Sequence, residues 1–402
     1  MSTAQNIDAL PSSTEELRSD DFLGVARSLR EVIGKEAAGT QAGCTLSPES
    51  VEAFKESGLI WMCVPTELGG GGASIVDGME VVEELSCIDG SSGWSIAVNL
   101  FHTALAGTYL GDEAVDMMFG GNELPIVAGM LGPGGKCIEK GDGYFGGGKF
   151  QFGSAMNHAT WLGAGLFVMD GDAPRKLPSG IPEVRICFVP KSEIVQKGNW
   201  NVTGLEGTGS FDYDMPEQYV PKAFAFERTS FETFRGSPVF KIGLASIACA
   251  AHSAIVLGFA KRALIEVVNI TSSKKRPGSP KVIAESDVFK YEFGLNEANY
   301  HGARAYTYKV FREAQDVVMA GEPIPRELLS RIRQVATWAH QTASDVVRFC
   351  HVWSGSEAFR SHTALSRVSR NMAVATQHVF VDPGTVVDSA NPIIEAWQAE
   401  KY

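Results

Sequence analysis

Phe150-Gln151-Phe152-Gly153-Ser154-Ala155-Met156-Asn157-His158-Ala159-Thr160-Trp161 runs from an alternating aromatic stretch into a turn that carries a small hydroxyl residue and a histidine. The alternation predicts a strand that stops near Gly153. Outward from it, short β-type runs separated by glycines extend over residues 124–229, at 137–139, 144–145, 166–169, 184–189 and 211–215. Both flanks change period. Upstream, apolar residues at three- and four-residue intervals over 15–37 (Leu17, Phe22, Leu23, Val25, Ala26, Leu29, Ile33) predict helix. Ser47-Pro48 supplies an N-cap and first-turn proline for another helix, and 75–88 and 92–110 read as two long, largely buried helices. Downstream, periodic stretches at 242–269, 286–320, 326–352 and 365–381 predict a bundle, interrupted at 274–278, 321–323 and a loop over 353–362. The chain therefore divides into a helical domain over 1–123, a β domain over 124–229 and a helical bundle over 230–402. That order, α then β then α, is a mainly α, α+β pattern of segregated layers, and it disfavours the alternating βαβ of a nicotinamide-binding fold.

Composition narrows the function. The 402 residues are 44% apolar and 20% charged, an ordinary globular balance. Apolar runs such as 242–251 fall well short of the ~20 residues that span a bilayer. With 47 acidic against 35 basic residues the net charge is −12, and no dense Lys/Arg block occurs, so nucleic acid is a poor partner. Seven irregularly spaced cysteines without a CxxC pair read as reduced thiols, and the first 17 residues have no secretory character, so a cytoplasmic location is expected. The sequons at Asn201 and Asn269 are then incidental.

Motif searches return little. Gly141-Asp142-Gly143-Tyr144-Phe145-Gly146 has the spacing of a dinucleotide fingerprint, but it leads into a strand-like run, so a hairpin turn is the better reading. Gly69-Gly70-Gly71-Gly72 lacks the Lys-Ser/Thr of a phosphate loop. His340, His351 and His362 recur every eleven residues, a rise of ~16 Å per interval on a helix, too far apart for one metal. They read as packing or surface residues, and no metal site is expected.

The segment at 150–161, followed by Trp200-Asn201-Val202-Thr203-Gly204-Leu205-Glu206-Gly207-Thr208-Gly209-Ser210, resembles the middle domain of the acyl-CoA dehydrogenase superfamily. So do Val64-Pro65-Thr66-Glu67-Leu68-Gly69-Gly70, Arg276-Pro277-Gly278-Ser279, Trp353-Ser354-Gly355-Ser356-Glu357 and the helix carrying Arg367 and Arg370. The resemblance implies an N-terminal α domain, a middle β-barrel or sandwich and a C-terminal four-helix bundle. Where dehydrogenases of that superfamily place a carboxylate base, this chain has Gln377-His378, with Asp382-Pro383 beyond. In that departure it resembles the reduced-flavin monooxygenases of the superfamily, the oxygenase components that act on 4-hydroxyphenylacetate, steroid phenols, dibenzothiophene or indoles.

That resemblance implies hydroxylation of a small aromatic or heteroaromatic substrate through a C4a-hydroperoxyflavin, formed from O2 and reduced FAD or FMN. A separate NAD(P)H-dependent reductase would deliver the flavin. It implies Ser154 near flavin N5; His378 and His102 flanking the substrate; Trp94, His158 and Trp161 lining it; and Arg276, Gly355, Ser356, Arg367 and Arg370 holding the cofactor, partly across the interfaces of a homotetramer. Chemically, an imidazole with pKa near ~6.5 suits sharing the proton of a phenol or indole better than an unperturbed carboxylate, so His378 is the first candidate for base. On a continuous helix Arg367 and His378 would share a face. An indole-type substrate is preferred on overall resemblance. Each of these residues also has a structural reading: a hydrogen-bonded bundle histidine, a turn serine, a core aromatic, or a loop or ion-pair arginine. An acyl-CoA dehydrogenase-type FAD oxidoreductase and a flavin-free binding protein on the same fold are the rival functions.

Overall fold

A computed structural model describes residues 21–400; the leading part of the helix expected from residue 15, with Leu17, and the N-terminal segment read for targeting lie outside it. Helices α1 (Phe22–Ser28) and α2 (Arg30–Gly43) are followed by α3 (Pro48–Glu56), α4 (Ile75–Ile88), α5 (Gly90–Tyr109) and α6 (Asp112–Phe119). Local sequence accounts for their starts. Ser47 accepts from the Ser50 N–H ahead of Pro48, and Ser74 and Asp77 form a reciprocal capping box. Asp89 separates α4 from α5 by accepting from the Ser92 N–H at 2.9 Å and its hydroxyl at 2.8 Å.

Strands β1 (Val127–Glu139), β2 (Gly143–Gly153), β3 (Trp161–Asp170), β4 (Ala173–Pro174), β5 (Val184–Pro190), β6 (Val195–Gln196), β7 (Phe211–Pro221) and β8 (Ala225–Glu227) form one sheet. Its order is β6-β7-β2-β1-β3-β5-β8, with β4 on β3. Only β1 and β3 pair in parallel. The glycines at 141–146 make the β1–β2 hairpin, where the Lys140 N–H donates to the Gly143 carbonyl at 3.0 Å.

Helices α7 (Leu244–Thr271), α8 (Asp287–Met319), α9 (Arg326–Ser354) and α10 (Ala364–Ala375) form the bundle, and α11 (Gly384–Ala399) packs on α9. By length and composition α7 has a window apolar enough to cross a membrane, but 72% of that window is buried, with α4 and α9 packed against the helix. Two sequence expectations are revised here. The 365–381 helix ends at Ala375, because Thr376 caps it and His378 leaves in an extended conformation. The loop expected at 353–362 is instead the end of α9 followed by a 3-10 turn at Gly355–Phe359. Pro383 opens a further helix, α11.

Buried charges join the two helical layers. Glu83 on α4 accepts from Tyr300 (3.0 Å), Tyr308 (2.6 Å) and Arg304 (2.8 Å) of α8. Its neighbour Glu84 pairs with Arg30 and with Lys261 of α7. With those layers fixed, α5 packs on β1 and its Trp94 reaches Ser154 just past the end of β2.

Candidate active site

At the end of β2 the backbone is contorted. Phe152 (φ 64°) and Ala155 (φ 58°) both occupy the left-handed region, which costs a residue with a side chain ~1–3 kcal/mol. The Ser154 N–H donates back to the Phe152 carbonyl at 2.8 Å, and the Ala155 N–H donates to the Thr208 carbonyl at 2.9 Å. This turn points Ser154 inward, leaving it 7% exposed, while Phe152 stays 55% exposed beside Trp200.

Ser154 belongs to a directed chain of hydrogen bonds. The Trp94 Nε1–H donates to Ser154 Oγ at 3.1 Å, Ser154 and Ser210 share a 2.6 Å contact, and Ser210 and Thr208 share another of 2.6 Å. Thr208 Oγ1 ends the chain by donating to the Leu205 carbonyl at 2.8 Å. A hydroxyl has one proton, so Thr208 must accept from Ser210 and Ser210 from Ser154. Ser154 is thus left with a free lone pair and no free proton.

Next to Trp94 lies a group of imidazoles from four elements. His252 of α7 and His378 lie with ring centroids 3.7 Å apart, Trp94 is 5.0 Å from His252 and 6.1 Å from His378, and His340 of α9 is 6.4 Å from His252. Burial holds His102, His340 and His378 at about 4 and His252 well below the ordinary value, where repulsion from His378, His340 and His102 adds to it. At neutral pH all four are uncharged.

Their partners set the tautomers. His378 Nδ1 accepts from the Phe380 N–H at 3.3 Å, so its Nε2 carries the proton. His340 Nδ1 donates to the Ala336 carbonyl at 2.8 Å, so its Nε2 carries the lone pair, and that atom is buried without a partner. His102 is turned toward the Ala128 backbone, which leaves its buried, unpartnered Nδ1 as the lone-pair nitrogen; His252 Nδ1 is likewise buried and unpartnered. Among the described residues no group of three or more His, Cys, Asp or Glu has metal-holding geometry.

The other sequence candidates fall in three places. His158 contacts Asn99 Oδ1 through Nε2 at 2.6 Å, and Asn99 in turn donates to the Val127 carbonyl at 3.1 Å, so it is anchored at the α5–sheet junction with its pKa also held at about 4 by burial. Trp161 stacks on Phe224, with ring centroids 5.8 Å apart, rather than on the histidines. Arg276 lies 4.8 Å over the Trp353 ring, and Lys274 donates to the Ser354 carbonyl and to Ser356 beside Gly355. This second cluster sits past the C-terminal ends of α7 and α9, ~28 Å along α7 from His252 and ~21 Å along α9 from His340.

Arg367 and Arg370 take a third position. Because α10 ends before His378, Arg367 does not share a helical face with it; Arg367 donates to the His362 carbonyl at 3.0 Å and lines a narrow recess with Asp89 and Asn371. Arg370 donates to Ser366 Oγ at 2.7 Å and approaches Glu206 at 3.7 Å. Sequence reasoning missed His252 and set His340 aside as packing. The available signal was one imidazole in the middle of an otherwise apolar helix, where a polar group needs a partner or a function.

Models of the N-terminal and C-terminal domains of acyl-CoA dehydrogenase match residues 23–115 and 250–383, together more than half of the chain. An indole-3-acetate monooxygenase of Pseudomonas putida is 27% identical over 336 residues, covering 84% of each chain. The oxygenase subunit HsaA of a flavin-dependent monooxygenase from Rhodococcus jostii is 24% identical, covering 89% of this chain and 93% of that one. In fold, the chain superposes on XiaF from Streptomyces, solved with FADH2 and glycerol, with a TM-score of 0.84 at 19% identity, covering 96% of this chain and 97% of that one. The chain belongs to the acyl-CoA dehydrogenase superfamily. Within it, it stands with the flavin-dependent monooxygenases.

Proposed function

We propose that this chain is the oxygenase component of a two-component system that hydroxylates a small aromatic or heteroaromatic compound, an indole-type one by preference, with O2 and reduced FMN or FAD. The observation that carries the proposal is the meeting of the Ser154 hydrogen-bond chain with the neutral imidazoles of His102, His252 and His378 around Trp94. The names of the relatives support the flavin, and the indole-3-acetate enzyme supports the substrate preference.

The residues at the end of β2 fit a flavin. Ser154 has a spare lone pair for the N–H of a reduced ring, and Phe152 with Trp200 offers an exposed aromatic wall held at the cost of backbone strain. Ser154, Phe152 and Trp200 would hold the ring. When bound, reduced flavin supplies the electrons that activate O2 for insertion of one oxygen atom. The chain's own part is to bind and orient the aromatic ring, exclude water and share a proton. His378 Nε2–H donates to the substrate, while the lone pair on His102 Nδ1 accepts the ring O–H or N–H, which makes the ring carbon more nucleophilic. Burial keeps both imidazoles neutral, so the proton is shared rather than fully removed.

The βαβ pattern of a nicotinamide-binding domain does not occur among the described residues, and we assign supply of the reduced flavin to an NAD(P)H-dependent reductase. Arg276, Gly355 and Ser356 lie too far from Ser154's neighbours on α7 and α9 to serve the same site within one chain; in a homotetramer they would meet a neighbour's cofactor. Seven free cysteines, six of them buried, favour the cytoplasm.

The test mixes anaerobically reduced FMN or FAD and the protein with oxygenated buffer in a stopped-flow spectrometer. A delay before oxidised flavin appears, shortened by an indole or phenol that is itself hydroxylated, is the expected result. Flavin oxidation at the rate of free flavin, with no aromatic product, would refute the reading.

A further inference from the structure

Away from Ser154, a cavity of about 360 Å³ opens where the N-terminal ends of α7 and α9 lie side by side. Arg228, Arg326 and Arg333 line it together with Ser246 and Ser330, over an apolar floor that includes Phe231 and Leu244. Three guanidiniums face one carboxylate, Asp388, which reaches Arg333 at 3.5 Å from an exposed position. Arg228 has no ion-pair partner among the described residues, and its Nε is buried with no hydrogen bond. The nearest acid in sequence, Glu227, is turned to the Thr229 N–H (2.9 Å) and hydroxyl (2.7 Å). A partly buried guanidinium with unused donors is expensive to leave unpaired. The free N–H groups at the start of α7, where Gly243 supplies no side-chain cap, also face this end.

The position of the cavity relates it to the site. Arg333 and His340 are seven residues apart on α9, and Ala245 and His252 are seven apart on α7, so each pair returns to one face. The cavity and the histidine cluster therefore share one face of each helix, about 10 Å apart along the axes. That separation suits an aromatic ring at the histidines with a short acidic arm reaching back to the arginines.

The geometry points to an anion subsite, built by Arg228 and Arg333, that receives the carboxylate of an aryl-acetic type substrate. It deepens the proposed function and rests on it for the identity of the ring. The cavity's basic lining runs against the chain's net charge of −12, so an acidic substrate meets one local attraction on a repelling surface.

The test compares ring pairs that differ only in the carboxylate, indole-3-acetate against 3-methylindole and 4-hydroxyphenylacetate against 4-methylphenol. Binding is measured anaerobically by calorimetry, with the protein alone and with reduced FMN. The acid of each pair should bind ~10-fold tighter or better, and added salt should erode the difference. Arg228→Gln and Arg333→Gln should each bring the ratio of acid to neutral affinity toward one, with Arg228→Lys retaining part of it. Equal affinity for acid and neutral ring, an unchanged ratio in both glutamine variants, or no binding of either ring would overturn the assignment. A second arm separates the other anionic source, the flavin phosphate, by comparing FMN with riboflavin. If the variants remove a preference for FMN and leave the carboxylate preference intact, the subsite belongs to the cofactor and the proposal fails. Failure of the oxygenase reading shows separately, as absence of flavin-dependent aromatic hydroxylation with any ring.

Discussion

Ser154 and His378 each do something that residue type alone does not specify. A serine hydroxyl has one proton and two lone pairs, and the chain from Trp94 through Ser210 and Thr208 to the Leu205 carbonyl uses the proton and one lone pair and leaves an acceptor. Ser154→Ala removes that acceptor and strands the Trp94 N–H and the Ser210 oxygen. The fold should lose about 1–3 kcal/mol, the cost of buried unmet polar groups, and reduced flavin should bind more weakly while oxidised flavin is little affected. Urea denaturation together with anaerobic flavin titration checks both parts; equal loss of the two flavin states would contradict the acceptor role. His378→Gln keeps a donor of similar reach but loses the ring packed on His252. It should lower turnover by ~10²-fold, because the Nε2–H that His378 donates to the substrate loses its fixed position, with peroxide release rising at the expense of hydroxylated product. A variant that turns over normally would contradict the donor role of His378.

At the scale of elements, α10 grips the turn on which the serine chain depends. Asn371 Oδ1 accepts from the Leu205 N–H at 2.7 Å, and Gly204 sits so close to the Arg370 carbonyl that a Cβ there would lie 2.2 Å from its oxygen. Gly204→Ala should push the turn off α10, cost about 1–3 kcal/mol and shift Ser210. The expected signature is weakened flavin binding with no change at the Arg276–Trp353 end, which tryptophan fluorescence and flavin titration can follow. The sequence made this pairing visible only by halves. Residues 150–161 and 200–210 read as strand and turn because alternation and glycine are local signals. That Ala375 ends α10 was not legible, since the apolar spacing continues through Val379 and Val381 while the chain has already turned. Its consequence was large, because it separates Arg367 from His378. His252 escaped for another reason: a lone imidazole in an apolar helix signals a polar group that needs a partner, but nothing on that helix says which. Its neighbours come from three other elements, and no spacing within a single segment encodes them.

At the scale of the whole molecule, keeping so many imidazoles neutral makes stability depend on acid. His102, His158, His340 and His378 are held at about 4 and His252 lower still, whereas in the unfolded chain each titrates near ~6.5. As pH falls through 6.5 the unfolded chain takes up protons that the folded chain refuses, so stability is fully present above ~6.5 and drains away toward 4. Each histidine contributes up to about 1.4 kcal/mol per pH unit in that window. Asp89 runs the other way: burial raises its pKa, with the Ser92 hydrogen bonds and the charges of Arg367 and Arg262 opposing the rise, so its protonation as pH drops offsets part of the loss. Glu84 and Glu183, which basic partners hold below the ordinary carboxylate range, add their own losses only nearer the bottom of the window. The net expectation is a urea midpoint that declines steeply from pH 6.5 to 4.5 and is nearly flat from 6.5 to 7.5. His340→Gln is the informative variant, because His340 is fully enclosed and its Nε2 meets nothing. It should reduce the slope by one histidine's share. An unaltered slope would mean that His340 protonates as readily in the folded protein as in the unfolded chain, and that the cluster around His252 admits charge at a site other than the one its tautomers imply.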